Sequence, residues 1–269
     1  MKRIIINILY LFFILMGIKG SAQHQDLYEA KVFINNLDTL NYRILYPKNF
    51  SEDKQYPLVL FLHGAGERGN NNRSQLTHGS KLFASDENRD AFPAIVIFPQ
   101  CPQNDYWANV SIDRATQPLS IKFQNGGEPT KAMSLVLKLM EDMVAKPYLA
   151  KHQVYVGGLS MGGMGTFEIL SRKPAMFAAA IAICGGGNKE AAKAYAKTTE
   201  LWIFHGAKDD VVVPQLSIDM VSAILEYGGT PNFTLYADAN HNSWDATFAE
   251  PKLLPWLFSK TKNTNENTN

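Results

Sequence analysis

The sequence feature that most constrains the fold is a glycine-flanked serine at Ser160. The chain reads Gly158-Leu159-Ser160-Met161-Gly162 immediately after the apolar run 154–156 and immediately before a helix-like segment. A strand that turns at once into a helix brings backbone atoms close together at both flanking positions, and glycine has no side chain to collide there. The serine of such a turn has a strained backbone, which presents its hydroxyl above the sheet edge. The pattern therefore predicts a strand–turn–helix unit that exposes Ser160 as a nucleophile.

Continuous apolar runs recur along the chain and predict the core of a sheet. They lie at 58–62, 94–98, 154–156, 179–183 and 201–204, with a further strand predicted at 233–236. Such runs are expected for parallel strands that are covered on both faces. Helices are predicted at 130–146, 164–172 and 216–227, and a closing helix at 244–257. The alternation of strand and helix predicts a doubly wound α/β sheet.

A hairpin is predicted at the beginning of this sheet. Residues 29–35 and 40–46 alternate apolar and polar side chains around the turn 36–38. Alternation with period two is typical of half-buried antiparallel strands. The predicted fold is therefore a mostly parallel sheet with an antiparallel N-terminal hairpin, helices on both faces and no large lid domain.

The two ends of the chain have other signals. Lys2 and Arg3 precede an apolar run at 4–18, and Gly20-Ser21-Ala22 supplies small residues, as is typical of a secretory signal peptide at 1–22. The run is shorter than the roughly 20 residues of a spanning helix, so we expect no stable membrane insertion after cleavage. We expect a catalytic domain at 27–259, a disordered tail at 260–269, and a secreted or periplasmic protein.

Composition restricts the partners more than it identifies them. The 269 residues include 26 Lys and Arg against 25 Asp and Glu, for a net charge of +1. This balance provides no basic face for nucleic acid, so we expect a small or neutral substrate, and the oligomeric state stays open. Cys101 and Cys184 end predicted strands that are separated by two others at about 4.8 Å each, which exceeds disulfide reach. We expect two buried free thiols.

A serine hydroxyl needs a base, and the base needs an orienting carboxylate. Asp209 follows the strand 201–204 in a turn that ends at Pro214, and His241 follows the last predicted strand. Both lie at the carboxyl ends of strands, on the same rim of the sheet as Ser160. We predict Asp209 as the acid and His241 as the base, with the neighbouring Asp210 as the open alternative for the acid. The order Ser, Asp, His is the one that elbow-type hydrolases have.

The other histidines fit a structural role better. His63 and His205 each end a strand before a glycine, and no histidine pair has a recognisable metal-ligand spacing, so we predict no metal and no cofactor. Gly64, Gly66 and Gly69 match a dinucleotide-binding pattern. We reject it because the strand before them follows a hairpin, and the asparagines at 70–72 begin a helix poorly where a pyrophosphate would need one.

The remaining site residues are predicted from their neighbourhood. The backbone N–H groups of Met161 and Ala65 are the expected oxyanion donors, with Gly66 as the alternative to Ala65. The candidates for substrate contact are Arg68, Gln100, Trp107 and Trp244; the tryptophans could stack on a ring or simply pack at the rim.

The segment 101–128 is predicted to be a structured loop near the site. The segment 184–200 has room only for a small helix, which predicts an uncapped site.

Four motifs together resemble the alpha/beta-hydrolase superfamily over nearly all of the chain after residue 22. They are His-Gly-Ala-Gly-Glu-Arg-Gly at 63–69, Pro-Gln-Cys-Pro at 99–102, the serine turn at 158–162 and His-Gly-Ala-Lys-Asp-Asp at 205–210. The chain is most similar to the secreted bacterial esterases called predicted peptidases, which are related to feruloyl and acetyl xylan esterases and polyhydroxybutyrate depolymerases. The resemblance implies ester hydrolysis through an acyl-serine at Ser160, with His241 as base and Asp209 as the acid. Our hypothesis for the substrate is a feruloyl or acetyl ester of plant polysaccharide. A serine peptidase and a non-catalytic binding protein are the alternatives.

Overall fold

The protein is described by a computed structural model over residues 24–262. Its strands, in chain order, are β1 (Glu29–Asn35), β2 (Asp38–Leu45), β3 (Tyr56–Leu62), β4 (Ile95–Pro99), β5 (Val110–Asp113), β6 (Ser120–Phe123), β7 (Leu149–Leu159), β8 (Ala179–Ile183), β9 (Glu200–Gly206) and β10 (Asn232–Tyr236). The α-helices are α1 (Ser80–Ala84), α2 (Asp86–Ala91), α3 (Lys131–Val144), α4 (Met161–Arg172), α5 (Gln215–Glu226), α6 (Ser243–Phe248) and α7 (Leu253–Phe258). Short 3-10 helices cover Ala65–Glu67, Ser74–Leu76 and Glu190–Ala194.

Eight strands form one sheet in the order β1-β2-β4-β3-β7-β8-β9-β10. The pairs β1·β2 and β2·β4 are antiparallel, whereas β3, β4, β7, β8, β9 and β10 run parallel to their neighbours within that set. The predicted fold class, a mostly parallel sheet with an antiparallel N-terminal hairpin, is confirmed.

The middle of each central strand is apolar because both faces of the sheet are covered there. Val154 and Val156 of β7 pack into a core with α3, α4 and α5, whereas Tyr155 packs into a second core with α1 and α7. All three side chains are at most 1% exposed. Burying a side chain of this size stabilises the fold by about 1.5–3 kcal/mol. The sheet is therefore a rigid platform whose strand ends have fixed positions.

The closing segment differs from the prediction. Instead of one helix over 244–257, the chain forms α6 and α7, because Pro251 lies between them and cannot donate a helical hydrogen bond. Helices α1 and α2 and the strand pair β5·β6 were not predicted. Strands β5 and β6 lie within the segment 101–128. Each has only four residues, too few to show a clear alternation of apolar and polar side chains.

The segment 101–128 lies near the predicted site. Ile121 and Phe123 of β6 pack with Met164 of α4 and with Val212, three residues after Asp209. The backbone N–H of Leu119 donates to the carbonyl of Val211 at 3.0 Å. The hairpin β5·β6 therefore buttresses the turn that carries Asp209.

Two further predictions concern the thiols and the chain ends. Cys101 and Cys184 are both buried and unbridged, as expected. The predicted signal peptide at 1–22 lies outside the described residues, as do residues 263–269 of the predicted tail at 260–269. Residues 260–262 of that tail are bonded to β7: the carbonyl of Lys260 accepts from the Tyr155 hydroxyl at 2.7 Å, and the backbone N–H of Lys262 donates to the carbonyl of His152 at 2.9 Å. No helix within residues 24–262 is long and apolar enough to span a bilayer.

Candidate active site

The serine turn has the geometry that its glycines predict. Strand β7 ends at Leu159, α4 begins at Met161, and Ser160 between them has φ 53° and ψ −116°. A side chain at Gly158 would collide with the carbonyl of Gly162, and one at Gly162 would collide with the carbonyl of Leu62 at the end of β3. The turn is therefore packed against the neighbouring strand, and Ser160 keeps a conformation that is uncommon for a residue with a side chain.

Ser160, His241 and Asp209 form a continuous hydrogen-bonded chain. Ser160 Oγ lies 2.9 Å from His241 Nε2, and His241 Nδ1 lies 2.8 Å from Asp209 Oδ2. A carboxylate can only accept, so Nδ1 carries the ring proton and Nε2 is left to accept the serine hydroxyl. This is the arrangement in which an imidazole can remove a proton from serine.

Asp209, rather than Asp210, is the acid that contacts His241. Its side chain is fully buried, and Oδ1 accepts the backbone N–H groups of Val211 and Val212 at 3.0 and 2.9 Å. Burial alone would raise the pKa of Asp209, but hydrogen bonds from His205 and His241 outweigh it and hold the pKa well below its usual range. The carboxylate therefore stays ionised opposite His241. Asp210 is exposed.

Two buried groups beside this chain were not predicted as neighbours of the site. His205 Nε2 lies 3.2 Å from Asp209 Oδ2, although sequence reasoning treated His205 only as a structural residue. Cys184, in the left-handed region at φ 41°, follows β8 on the same rim. The available signal was their position at the carboxyl ends of β9 and β8, next to the strand that carries Ser160.

Within residues 24–262, one set of three possible metal ligands consists of Cys184, Asp209 and His241, with ligand atoms within 4.8 Å of one another. Burial and the charge of Asp209 raise the pKa of the Cys184 thiol far above its usual value, so the thiolate that a metal needs is disfavoured. Asp209 and His241 are also only 2.8 Å apart, closer than the roughly 3.3 Å between ligands on one zinc ion. We assign no metal to this set.

The loop after β3 borders the serine turn and is firmly anchored. The backbone N–H of Cys101 donates to His63 Nε2 at 2.9 Å, and that of Gly69 donates to the carbonyl of Cys101 at 2.9 Å. Burial lowers the pKa of His63 to about 4, so its ring stays neutral and can accept this bond. A side chain at Gly64 would be 2.9 Å from Leu159, which places this loop directly against the serine turn.

Ala65 and Met161 each begin a helix in this region. The first N–H groups of a helix have no acceptor within it and remain available to an anion. This geometry is compatible with the predicted oxyanion donors. Gly66, the alternative to Ala65, is exposed.

The structure contradicts substrate contact by Trp107 and Gln100. Trp107 is 0% exposed, and its indole N–H donates to the carbonyl of His63 at 3.1 Å. Gln100 is 1% exposed; its amide donates to Glu67 and Asn71, and its oxygen accepts from Asn72. All of their polar groups have partners inside the protein, so both residues hold loops around the site and cannot reach a substrate.

Arg68 and Trp244 differ from this buried pair. Arg68 is half-buried and donates to the carbonyls of Ala65 and Asp105, so it braces the loop after β3. Trp244 is partly exposed, and its ring stands edge to face with His241 at 5.4 Å between centroids. Trp244 therefore lies beside the imidazole that contacts Ser160. Substrate contact by either residue stays a prediction.

A parallel sheet with a serine turn after its central strand, and with histidine and aspartate at the ends of outer strands, defines the α/β-hydrolase class. Within that class, the chain belongs to the Phospholipase/Carboxylesterase family, whose sequence profile matches residues 49–252, more than half of its length. Membership of this family makes the chain a hydrolase of the serine esterase type.

Three known proteins illustrate the relationship. Mouse (Mus musculus) lysophospholipase-like protein 1 is 26% identical over an alignment of 209 residues, and the match covers 75% of this chain and 86% of that protein. A thermostable esterase is 31% identical with a TM-score of 0.78 over 89% of this chain, which spans only 64% of that longer esterase. A ferulic acid esterase has a TM-score of 0.61 at 18% identity, over 86% of this chain and 98% of that one. Peptidases also share the fold.

Proposed function

We propose that the protein is a carboxylic ester hydrolase that uses Ser160 as nucleophile, His241 as base and Asp209 as acid. The observation that carries this proposal is the unbroken chain of hydrogen bonds, 2.9 Å from Ser160 to His241 and 2.8 Å from His241 to Asp209. It is supported by the strained backbone of Ser160, which holds the hydroxyl above the sheet edge.

The first half-reaction transfers the acyl group to the enzyme. Ser160 Oγ attacks the ester carbonyl while its proton passes to His241 Nε2, and the imidazolium that forms is stabilised by Asp209. The negative charge that develops on the carbonyl oxygen faces the N–H groups of Met161 and Ala65. The imidazolium then returns the proton to the departing alcohol. In the second half-reaction, water attacks the acyl-serine with His241 again as base.

The substrate class that we propose is a feruloyl or acetyl ester carried on plant polysaccharide. The segment between β8 and β9 contains only the 3-10 helix Glu190–Ala194, so no lid domain arises there to exclude a bulky alcohol. Trp244 beside His241 offers an aromatic surface for a feruloyl ring or a sugar. The relatives named as a lysophospholipase-like protein and a ferulic acid esterase suggest which esters should be compared.

The proposal is tested with wild type and Ser160→Ala on para-nitrophenyl acetate, methyl ferulate, acetylated xylan and a lysophospholipid. We expect the wild type to turn over the first three and the variant to lose that activity. Preference for the lysophospholipid would leave the esterase proposal intact and overturn the polysaccharide assignment.

A peptidase is distinguished by a matched pair of ester and amide substrates with the same acyl group. The same three residues can cleave an amide, and peptidases share this fold. An amide rate equal to the ester rate would refute the esterase proposal. A binding protein without activity would turn over neither substrate, and Ser160 would not react with a phosphonate probe.

We also propose that the protein is exported, on the strength of the charged and apolar pattern at 1–22. N-terminal sequencing of protein recovered from the periplasm and medium should give a chain that begins near residue 23. Recovery of the intact N-terminus from the cytoplasm alone would refute export.

A further inference from the structure

His205 is a fully buried histidine that takes no direct part in the proposed reaction, yet it lies against its acid. Its Nε2 is 2.8 Å from the carbonyl oxygen of Val212 and 3.2 Å from Asp209 Oδ2. Its Nδ1 is 2.7 Å from Ser217 Oγ, which lies 3.0 Å from the carbonyl of Gly185. Every polar atom of the ring therefore has a partner.

These partners determine where His205 carries a proton. Both oxygens near Nε2, the carbonyl of Val212 and the carboxylate of Asp209, can only accept, so Nε2 must be the donor. The position of the Ser217 hydroxyl hydrogen is not fixed in the same way, because it can point to Nδ1 or to the carbonyl of Gly185. The N–H group at Nε2 is thus required whichever way Ser217 points.

The same carboxylate oxygen faces two imidazole rings. Asp209 Oδ1 is occupied by the backbone N–H groups of Val211 and Val212, whereas Oδ2 lies 2.8 Å from His241 and 3.2 Å from His205. Val212 is itself held at both ends, since its N–H donates to Asp209 and its carbonyl accepts from His205. His205 thus locks both the turn and the carboxylate within it.

We propose that His205 is a positioning residue whose Nε2–H group fixes Asp209 Oδ2 toward His241 and balances part of its negative charge. This inference rests on the proposed function, because Asp209 acts on a substrate only through His241. No proton leaves His205 during the reaction: the serine proton moves to His241 and back, and the Nε2–H group stays in place.

Among residues 24–262, a buried thiol and several surface charges are the other titratable groups near this cluster. The Cys184 thiol approaches Asp209 and His241 from the end of β8 and stays protonated because burial raises its pKa. Asp210 lies exposed at the rim, and Lys208 pairs there with Asp238 at 2.7 Å. These surface charges are screened by water, so the side-chain donors that act on Asp209 Oδ2 are the imidazoles of His205 and His241.

Loss of the Nε2–H group should change how activity depends on pH. Without it, more negative charge on Asp209 faces His241, which favours the protonated form of the His241 ring. A larger fraction of the enzyme would then lack its base at mildly acidic pH, and the acid limb of the kcat/KM profile would move to higher pH.

The test compares two substitutions that both remove the imidazole. His205→Leu removes every donor, whereas His205→Gln retains amide N–H groups that can reach Val212 and Asp209. We expect His205→Leu to lower kcat about tenfold to a hundredfold, with little change in KM and an acid limb raised by about half a pH unit or more. In His205→Gln, kcat and the position of the acid limb should both lie closer to those of the wild type. Thermal unfolding of each variant establishes that it is folded.

Equal losses in the two variants with an unchanged acid limb would mean that His205 only fills space, and the proposal would be overturned. A wild type without esterase activity would refute the proposed function, and histidine ¹⁵N NMR then tests the inference independently. We expect the His205 Nε2 to be protonated at neutral pH and its resonance to move in Asp209→Asn. An unprotonated Nε2 would overturn the positioning role.

Discussion

At the residue scale, the contrast between two adjacent acids gives the sharpest test of the site. Asp209 is buried against His241, whereas the side chain of Asp210 is exposed. We expect Asp209→Asn to lower kcat about a thousandfold or more, because an amide cannot stabilise the imidazolium. Asp210→Asn is the matched control and should stay within about threefold of wild type. Steady-state kinetics on one ester would decide, and the reverse order would move the assignment to Asp210.

Trp244 is the candidate through which an aromatic acyl group would be recognised. Its ring stands edge to face with His241, so its removal should affect every substrate somewhat and aromatic substrates more. We expect Trp244→Ala to lower kcat/KM for methyl ferulate about threefold to tenfold more than for methyl acetate. Trp244→Phe, which retains a ring, should recover most of this difference. An equal loss on both esters would remove Trp244 from the binding site.

What the sequence could predict about individual residues depended on backbone placement. Ser160, Asp209 and His241 directly follow strand ends or lie in the turns after them, and parallel strands bring such positions to one rim. The side-chain direction of Trp107 could not be predicted, because it depends on Gly165 of α4, where an added Cβ would lie 2.5 Å from the Cβ of Trp107. The approach of His205 to Asp209 likewise depends on the conformation of the turn that joins them.

At the element scale, the contact between α4 and β3 fixes the position of the serine turn. A side chain at Gly162 would collide with the carbonyl of Leu62, so we expect Gly162→Ala to lower the free energy of unfolding by about 2–3 kcal/mol. Activity should fall as well, because the turn must move. Gly66→Ala is the control, since nothing lies within 4 Å of the added carbon. Denaturant unfolding measures the stability of both variants. Equal free energies of unfolding for Gly162→Ala and Gly66→Ala would contradict this packing.

The elements themselves were predictable where they were long. The parallel strands and α3, α4 and α5 have apolar patterns of sufficient length, although the predicted start of α4 was three residues late. The hairpin β5·β6 has four-residue strands, and α1 and α2 have five and six residues. Elements this short have little periodicity of their own, and tertiary contacts such as those with Met164 and Val212 decide whether they form.

At the scale of the whole molecule, buried His63 should make stability depend on pH. The folded protein holds the pKa of His63 at about 4, whereas an unfolded chain binds the proton near pH 6.5. Above about pH 6.5, His63 therefore causes no loss of stability. As the pH falls toward 4, protonation of the unfolded chain at this group lowers the free energy of unfolding by about 3 kcal/mol. Urea unfolding at several pH values measures the slope. His63→Gln should reduce the dependence of the free energy of unfolding on pH. An unchanged slope would mean that other groups cause this dependence.

His241, the base of the proposed reaction, lies in the loop that follows the outermost strand of the sheet. Strand β10 pairs only with β9 within the eight-stranded sheet, has no fully buried residue and is followed five residues later by His241. Edge elements of this kind open in small local fluctuations that cost far less free energy than global unfolding. We therefore expect activity to be lost before the sheet unfolds. On warming, we expect the enzyme to lose activity while its central strands are still folded, and to regain that activity on cooling.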